Sequence, residues 1–170
     1  MVAAKIGTSV SLDNIDQMIC KGIARQRYNN ARKAGVENRK VGDQSNEETD
    51  LQGFGAEYAF CKINNLCPDF TIHPRSMYDD IGDAQLPDGR YVDVKATKYT
   101  NGRLVAVKWK KPDQGAELYA LMIGTFPNYE FRGFMHREDL LRSERLGNLG
   151  HGEHFLAPQS DLKELFEIIK

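Results

Sequence analysis

The chain has 170 residues, 41% hydrophobic and 28% charged, which suits one domain with a substantial core. No run of about 18 apolar residues occurs, so a membrane-spanning helix is excluded. The three cysteines, Cys20, Cys61 and Cys67, do not form a disulfide framework, and the N-terminus lacks the apolar region of a secretory signal. A reducing cytoplasm is the expected compartment.

The net charge of −1 conceals a marked asymmetry. Residues 21–40 hold seven bases and one acid, and residues 41–60 hold five acids and no base. Residues 95–111 hold six bases and no acid. A polyanion would meet these local blocks rather than the average.

In chain order, residues 1–12 read as a loose arm or short strand. Ser11 or Asp13 can cap a helix that runs to about Ala34, ahead of Gly35. Ile15, Met18, Ile19 and Ile23 recur at helical spacing and predict its buried stripe. Its second half carries Arg25, Arg27, Tyr28, Arg32 and Lys33. Residues 36–52 are polar and predict a loop. A helix is expected over 53–65, apolar on most sides through Leu51, Phe54, Tyr58, Cys61, Ala59, Ile63 and Leu66. Glu57 stands out on it, because a carboxylate on an apolar helix is costly to bury unless paired or metal-bound.

Strands are predicted at 70–73, 77–85, 90–97 and 103–109, with Asn101-Gly102 as a hairpin signal between the last two. Residues 118–124 form a continuous apolar run suited to a central strand. The turn at Phe126-Pro127-Asn128 leads into a strand over 129–136, and a short helix follows at 137–141. Residues 143–154 are glycine-rich and read as irregular. Ser160 can cap a closing helix through Ile169, with Leu162, Leu165, Phe166 and Ile169 as its apolar face. The sum is an α/β fold, a mixed and mostly antiparallel central sheet flanked by helices. The whole chain forms a single unit: an N-terminal arm (1–50), a core (53–136) and a closing segment (137–170).

The chemistry concentrates in the segment from Asp83 to Lys95. Pro87-Asp88-Gly89 is a strong turn signal. A hairpin centred on Asp88 sets Asp83 across from Asp93, with Cβ atoms about 5 Å apart. Two carboxylates so placed repel unless something positive lies between them, and a hard divalent cation is the natural occupant. Period-2 alternation sends Tyr91, Asp93 and Lys95 to one side and Val92, Val94 and Ala96 to the other.

This arrangement resembles the PD-(D/E)XK nuclease superfamily, the restriction-endonuclease-like fold. The resemblance covers roughly residues 53–124. Asp83 matches the first acid, Asp93 and Lys95 match the acid-x-lysine element, and Glu57 matches the acid carried by a preceding helix. The proline before the first acid is missing: Gly82 stands there. Asp79 and Asp80 compete with Asp83 for the first acidic role. The resemblance implies an Mg²⁺-dependent deoxyribonuclease, probed equally well with Mn²⁺, and the size is similar to small phage nucleases and junction-resolving enzymes. It implies that Asp83, Asp93, the Val94 carbonyl and Glu57 hold the metal and that Lys95 serves the attacking water or the phosphate. Lys98, Lys108, Lys110 and Lys111, with Arg25, Arg32 and Lys33, are the expected DNA contacts. Thr97 and Gln114 lie where such sites often add a polar contact. Cutting both strands at once would favour a homodimer, since one chain carries one predicted site. The alternative is a non-catalytic nucleic-acid-binding phage accessory protein of the same fold.

Other constellations are weaker. Trp109 lies in a predicted strand and is expected in the core more than on a base. Cys61, Cys67 and His73 lack the compact spacing of a zinc motif, and His151 and His154 sit in a polar glycine-rich loop. No phosphate loop, dinucleotide fingerprint or nucleophile elbow occurs, so no nucleotide cofactor is expected.

Overall fold

A computed structural model describes residues 3–35, 45–72 and 81–168. Helix α1 spans Asn14–Lys33 and α2 spans Asn46–Asn64. The strands are β1 (Ser9–Ser11), β2 (Ala84–Gln85), β3 (Tyr91–Thr97), β4 (Leu104–Val107), β5 (Leu118–Thr125) and β6 (Asn128–His136). The short helix α3 covers Arg137–Leu140, β7 Leu146–Asn148, β8 Glu153–Ala157 and α4 Leu165–Ile168.

Both long helices begin with reciprocal caps. The Asp13 carboxylate accepts from the N–H groups of Ile15 and Asp16 at 2.9 Å each, and Asp16 accepts in return from the Asp13 N–H at 3.0 Å. Ser45 and Glu48 do the same for α2, which is why that helix begins well before residue 53 and reaches into the expected loop. The rest of that loop, 36–44, lies outside the described residues. Gly35, at φ +71°, follows the end of α1 in the left-handed conformation that glycine supplies.

The main sheet has the order β1-β6-β5-β3-β2, antiparallel throughout except for the parallel β3–β5 pair. The apolar run of β5 is central, as its composition predicts. One face of the sheet, through Val92, Val94, Leu118, Ala120, Phe131 and Phe134, packs on α2 residues such as Phe54, Ala56 and Phe60. The other face, through Tyr119, Leu121, Ile123 and Met135, packs on a second antiparallel sheet of order β4-β8-β7.

Several expectations are corrected. Ile15 and Met18 are 70% and 74% exposed, and Ile19 is exposed as well. Helix α1 instead buries Asp16, Cys20 and Ala24, smaller residues that let it lie close to α2. Asn101-Gly102 does not join β3 to β4 in a hairpin, because β4 leaves the main sheet and pairs with β8. The glycine-rich segment supplies β7 and leads into β8 rather than staying irregular. The closing helix is reduced to α4, because residues 159–161 form a 3-10 turn and Lys163 bridges to Phe134. Residues 70–72 are not a strand. Of the strand expected over 77–85, the described part contains β2 alone, and His73, Asp79 and Asp80 lie outside the described residues. Among the described residues no helix is long and apolar enough to cross a membrane.

Candidate active site

The hairpin forms in the expected register. Ala84 pairs with Val92 and Gln85 with Tyr91, so the next step sets Asp83 across from Asp93. Strand β2 is short because Asp83 ends the ladder. Its N–H donates to the Val92 carbonyl at 2.8 Å, and its carboxylate accepts from the Val94 N–H at 2.7 Å. A side chain thereby replaces a backbone acceptor, and the Asp83 carboxylate is fixed at the sheet edge.

Asp93 is 3% exposed, beside Tyr119 in the parallel β3–β5 register. Two ammonium groups serve it. The Lys95 Nζ lies 2.5 Å from Oδ1, and the Lys110 Nζ lies 3.3 Å from Oδ2. Burial pushes the Asp93 carboxyl up, but the two lysines outweigh it and hold the group below the usual carboxylate range. For Lys95 burial works against the charged form. Asp93 and Asp83 overcome it, and the ammonium is held above its ordinary value. Asp83 moves the other way: burial and then the neighbouring charges of Glu57 and Asp93 raise it well above the carboxylate range. The cluster thus sets an Asp93 whose charge is compensated by two lysines beside a buried Asp83 whose carboxyl is raised.

Glu57 approaches from α2. Arg27 on α1 holds its carboxylate at 3.1 Å and also donates to the carbonyls of Asp69 at 2.6 Å and Thr71 at 3.0 Å. The Arg27 guanidinium stacks 4.5 Å from the Phe54 ring centre. Glu57 therefore lies on the helical side of the sheet and Asp93, Lys95 and Lys110 on the second-sheet side, and the charge of Glu57 acts on Asp83. Lys110, expected as a phosphate contact, is turned onto Asp93, and Arg27, one of the α1 bases whose pattern suits a nucleic-acid backbone, holds Glu57 instead. Both partnerships join elements distant in the chain, and the only prior signal was the basic blocks.

The remaining expected contacts are dispersed. Lys98 and Lys111 are exposed, and Lys108 forms an ion pair with Glu153 on β8. Arg25 and Lys33 are exposed on α1, and the Arg32 guanidinium lies 5.3 Å from the Tyr28 ring centre. The two basic groups flank the sheet from opposite faces. The Thr97 hydroxyl accepts from the Tyr99 N–H at 3.3 Å, and Gln114 is exposed. Trp109 is not in the core: it is 51% exposed in the turn after β4. Among the described residues no three His, Cys, Asp or Glu side chains converge closely enough to enclose a metal ion as they stand.

The fold and this edge define an α/β protein with a mixed, mostly antiparallel sheet and a buried carboxylate–lysine cluster. A family model described as a family of unknown function (DUF5843) matches residues 3–141, and the chain belongs to that family. No curated protein and no solved structure matches it significantly.

Proposed function

We propose that the protein is a metal-dependent deoxyribonuclease with a restriction-endonuclease-like core. The observation that carries this reading is the meeting of Asp83, Asp93 and Lys95 on one hairpin, with the charge of Glu57 acting on Asp83 from the helix. A strand parallel to β3 beside them supports the fold comparison. The departure is that the connection from β3 to β5 runs through β4 rather than through a helix.

The donor set suits Mg²⁺ or Mn²⁺, since all the candidates are hard oxygens. Asp83, Asp93 and the Val94 carbonyl would hold the ion, with Glu57 completing the set. When bound, the ion would polarise the phosphate and acidify a bound water. Lys95 stays protonated between its carboxylates, so it serves by holding positive charge toward the phosphate rather than by taking a proton. Lys98, Lys108 and Lys111 would meet the strand's phosphates on either side.

A second reading rests on the same cluster. Lys95 and Lys110 already neutralise Asp93, so a nucleic-acid-binding protein of this fold would need no metal there. The experiment is cleavage of supercoiled plasmid, single-stranded and branched DNA with Mg²⁺ or Mn²⁺, wild type beside Lys95→Ala. Metal-dependent cutting that vanishes in the variant supports the nuclease. Retarded but uncut DNA of every form supports the binder.

A further inference from the structure

The turn between β7 and β8 brings two imidazoles together on the second sheet. Pairing of the two strands ends at Asn148 and Glu153, so residues 149–152 form the loop. Its shape is fixed locally: the Gly150 N–H donates to the Asn148 Oδ1 at 2.7 Å, and Gly152 takes a φ of +120° that side chains rarely adopt. His151 is exposed on this loop, and His154 is half-buried near the start of β8. Their ring centres lie 5.5 Å apart, with the planes tilted by 54°. Two observations mark the pair as ligands. The first is the spacing. A metal–nitrogen bond of about 2.0–2.1 Å puts an ion about 3.2 Å from each ring centre, and a tetrahedral angle then separates the two centres by about 5.2 Å. The rings already stand close to that separation. The second is the tautomer. The His154 Nδ1 lies 3.1 Å from the Gly152 carbonyl. A carbonyl only accepts, so Nδ1 carries the hydrogen and the neutral ring keeps its lone pair on Nε2. A backbone carbonyl on the other ring nitrogen is the usual support of a metal-bound histidine. Glu153 is ion-paired with Lys108 and is not a third ligand.

We propose that His151 and His154 together hold one borderline divalent cation of the Zn²⁺ and Ni²⁺ class, with water in its remaining positions. Imidazole suits these ions, whereas Mg²⁺ takes hard oxygens. The site is thus distinct in chemistry from the hairpin carboxylates, and it stands whether or not the chain cuts DNA. An ion held there ties the loop to β8, the strand that pairs with β4, and so clamps the second sheet.

The test uses the untagged full chain in excess Mg²⁺, which occupies hard-oxygen sites and leaves imidazoles open. By calorimetry, wild type should bind Zn²⁺, and His151→Ala and His154→Ala should each weaken that binding roughly tenfold or more. In NMR spectra Zn²⁺ should shift the imidazole resonances of His151 and His154. It should leave in place those of His136, whose Nε2 lies 3.2 Å from the Ile168 carbonyl. Zn²⁺ should also raise the thermal midpoint of wild type and of neither variant. Equal midpoints of the three proteins in EDTA exclude misfolding. His151 is exposed on the loop, so His151→Ala carries the test alone if His154→Ala folds poorly. Wild-type Zn²⁺ affinity in His151→Ala, or imidazole resonances of His151 and His154 that do not move with Zn²⁺, overturns the proposal.

Discussion

Replacing Lys110 by methionine keeps the aliphatic stem and deletes one of the two charges on Asp93. At 3.3 Å and an effective dielectric near 20, the gross attraction is about 5 kcal/mol. Two effects offset it. The Lys110 ammonium is largely buried and its dehydration costs several kcal/mol. It also lies close to the Lys95 ammonium, on the other oxygen of the same carboxylate. The net loss in EDTA should be about 1–3 kcal/mol, or roughly 2–4 °C of melting temperature per kcal/mol for a chain of this size. Manganese should act in the opposite sense. A lysine that competes with the ion for Asp93 weakens the site, so Lys110→Met should bind Mn²⁺ more tightly. A tenfold gain would add about 1.4 kcal/mol of stabilisation at excess ion. Circular-dichroism melts in EDTA and in Mn²⁺ read both effects, with Asp93→Asn as the variant that Mn²⁺ should not stabilise. If Mn²⁺ raises wild type and Lys110→Met by the same increment, Lys110 does not compete for the metal site and the reasoning fails.

Three further expectations follow from the same contacts. The folded pKa of Asp83 is raised, so its contribution to stability is fully present below about pH 4 and is lost as pH rises through the higher folded value. Asp83→Asn should therefore flatten that decline and be more stable than wild type near neutrality, read as urea midpoints across the acid-to-neutral range; an unchanged profile contradicts the assignment. Arg27→Met removes the guanidinium that joins Glu57 to the carbonyls of Asp69 and Thr71. It should cost about 2–4 kcal/mol by chemical denaturation, and a loss under half that would show these bonds to be incidental. Burial, with help from Glu57, pushes the thiols of Cys20 and Cys61 up to about 12, whereas Cys67 is exposed. A thiol reagent should label Cys67 rapidly in the native protein and the other two at the rate of unfolding.

The hairpin was legible because local chemistry decides it: Pro87-Asp88-Gly89 fixes the turn, and the turn fixes Asp83 against Asp93. The apolar stripe of Ile15, Met18 and Ile19 on α1 faces solvent, because hydrophobic spacing alone does not show which face a neighbouring helix covers. The helix pair is instead held by close approach of Cys20 and Ala24 and by polar contacts, the Tyr58 hydroxyl donating to Asp16 at 3.0 Å and Lys62 pairing with the same carboxylate. The start of α2 is written in Ser45 and Glu48, whose three-residue spacing is that of a capping box. Asn101-Gly102 carried a hairpin composition for another reason. A Cβ on Gly102 would lie 2.4 Å from the Thr97 methyl, so this glycine serves close packing. Nothing local shows that β4 will leave the sheet, and Lys110 reaches Asp93 only because it does.

The place of β8 has a kinetic consequence. Strand β4 finds its ladder partner in β8, which is some fifty residues later in the chain, whereas the Asp83–Asp93 hairpin closes over a short loop. Contacts of such unequal separation form at unequal times. During synthesis the carboxylates can meet early, while the turn bearing Trp109 and Lys110 gains its anchorage only after Ala157 has left the ribosome. The family match ends at residue 141, so this late anchor lies in a part of the chain that the match does not cover. A chain cut at that point would keep the two carboxylates and lose the strand that seats the second lysine.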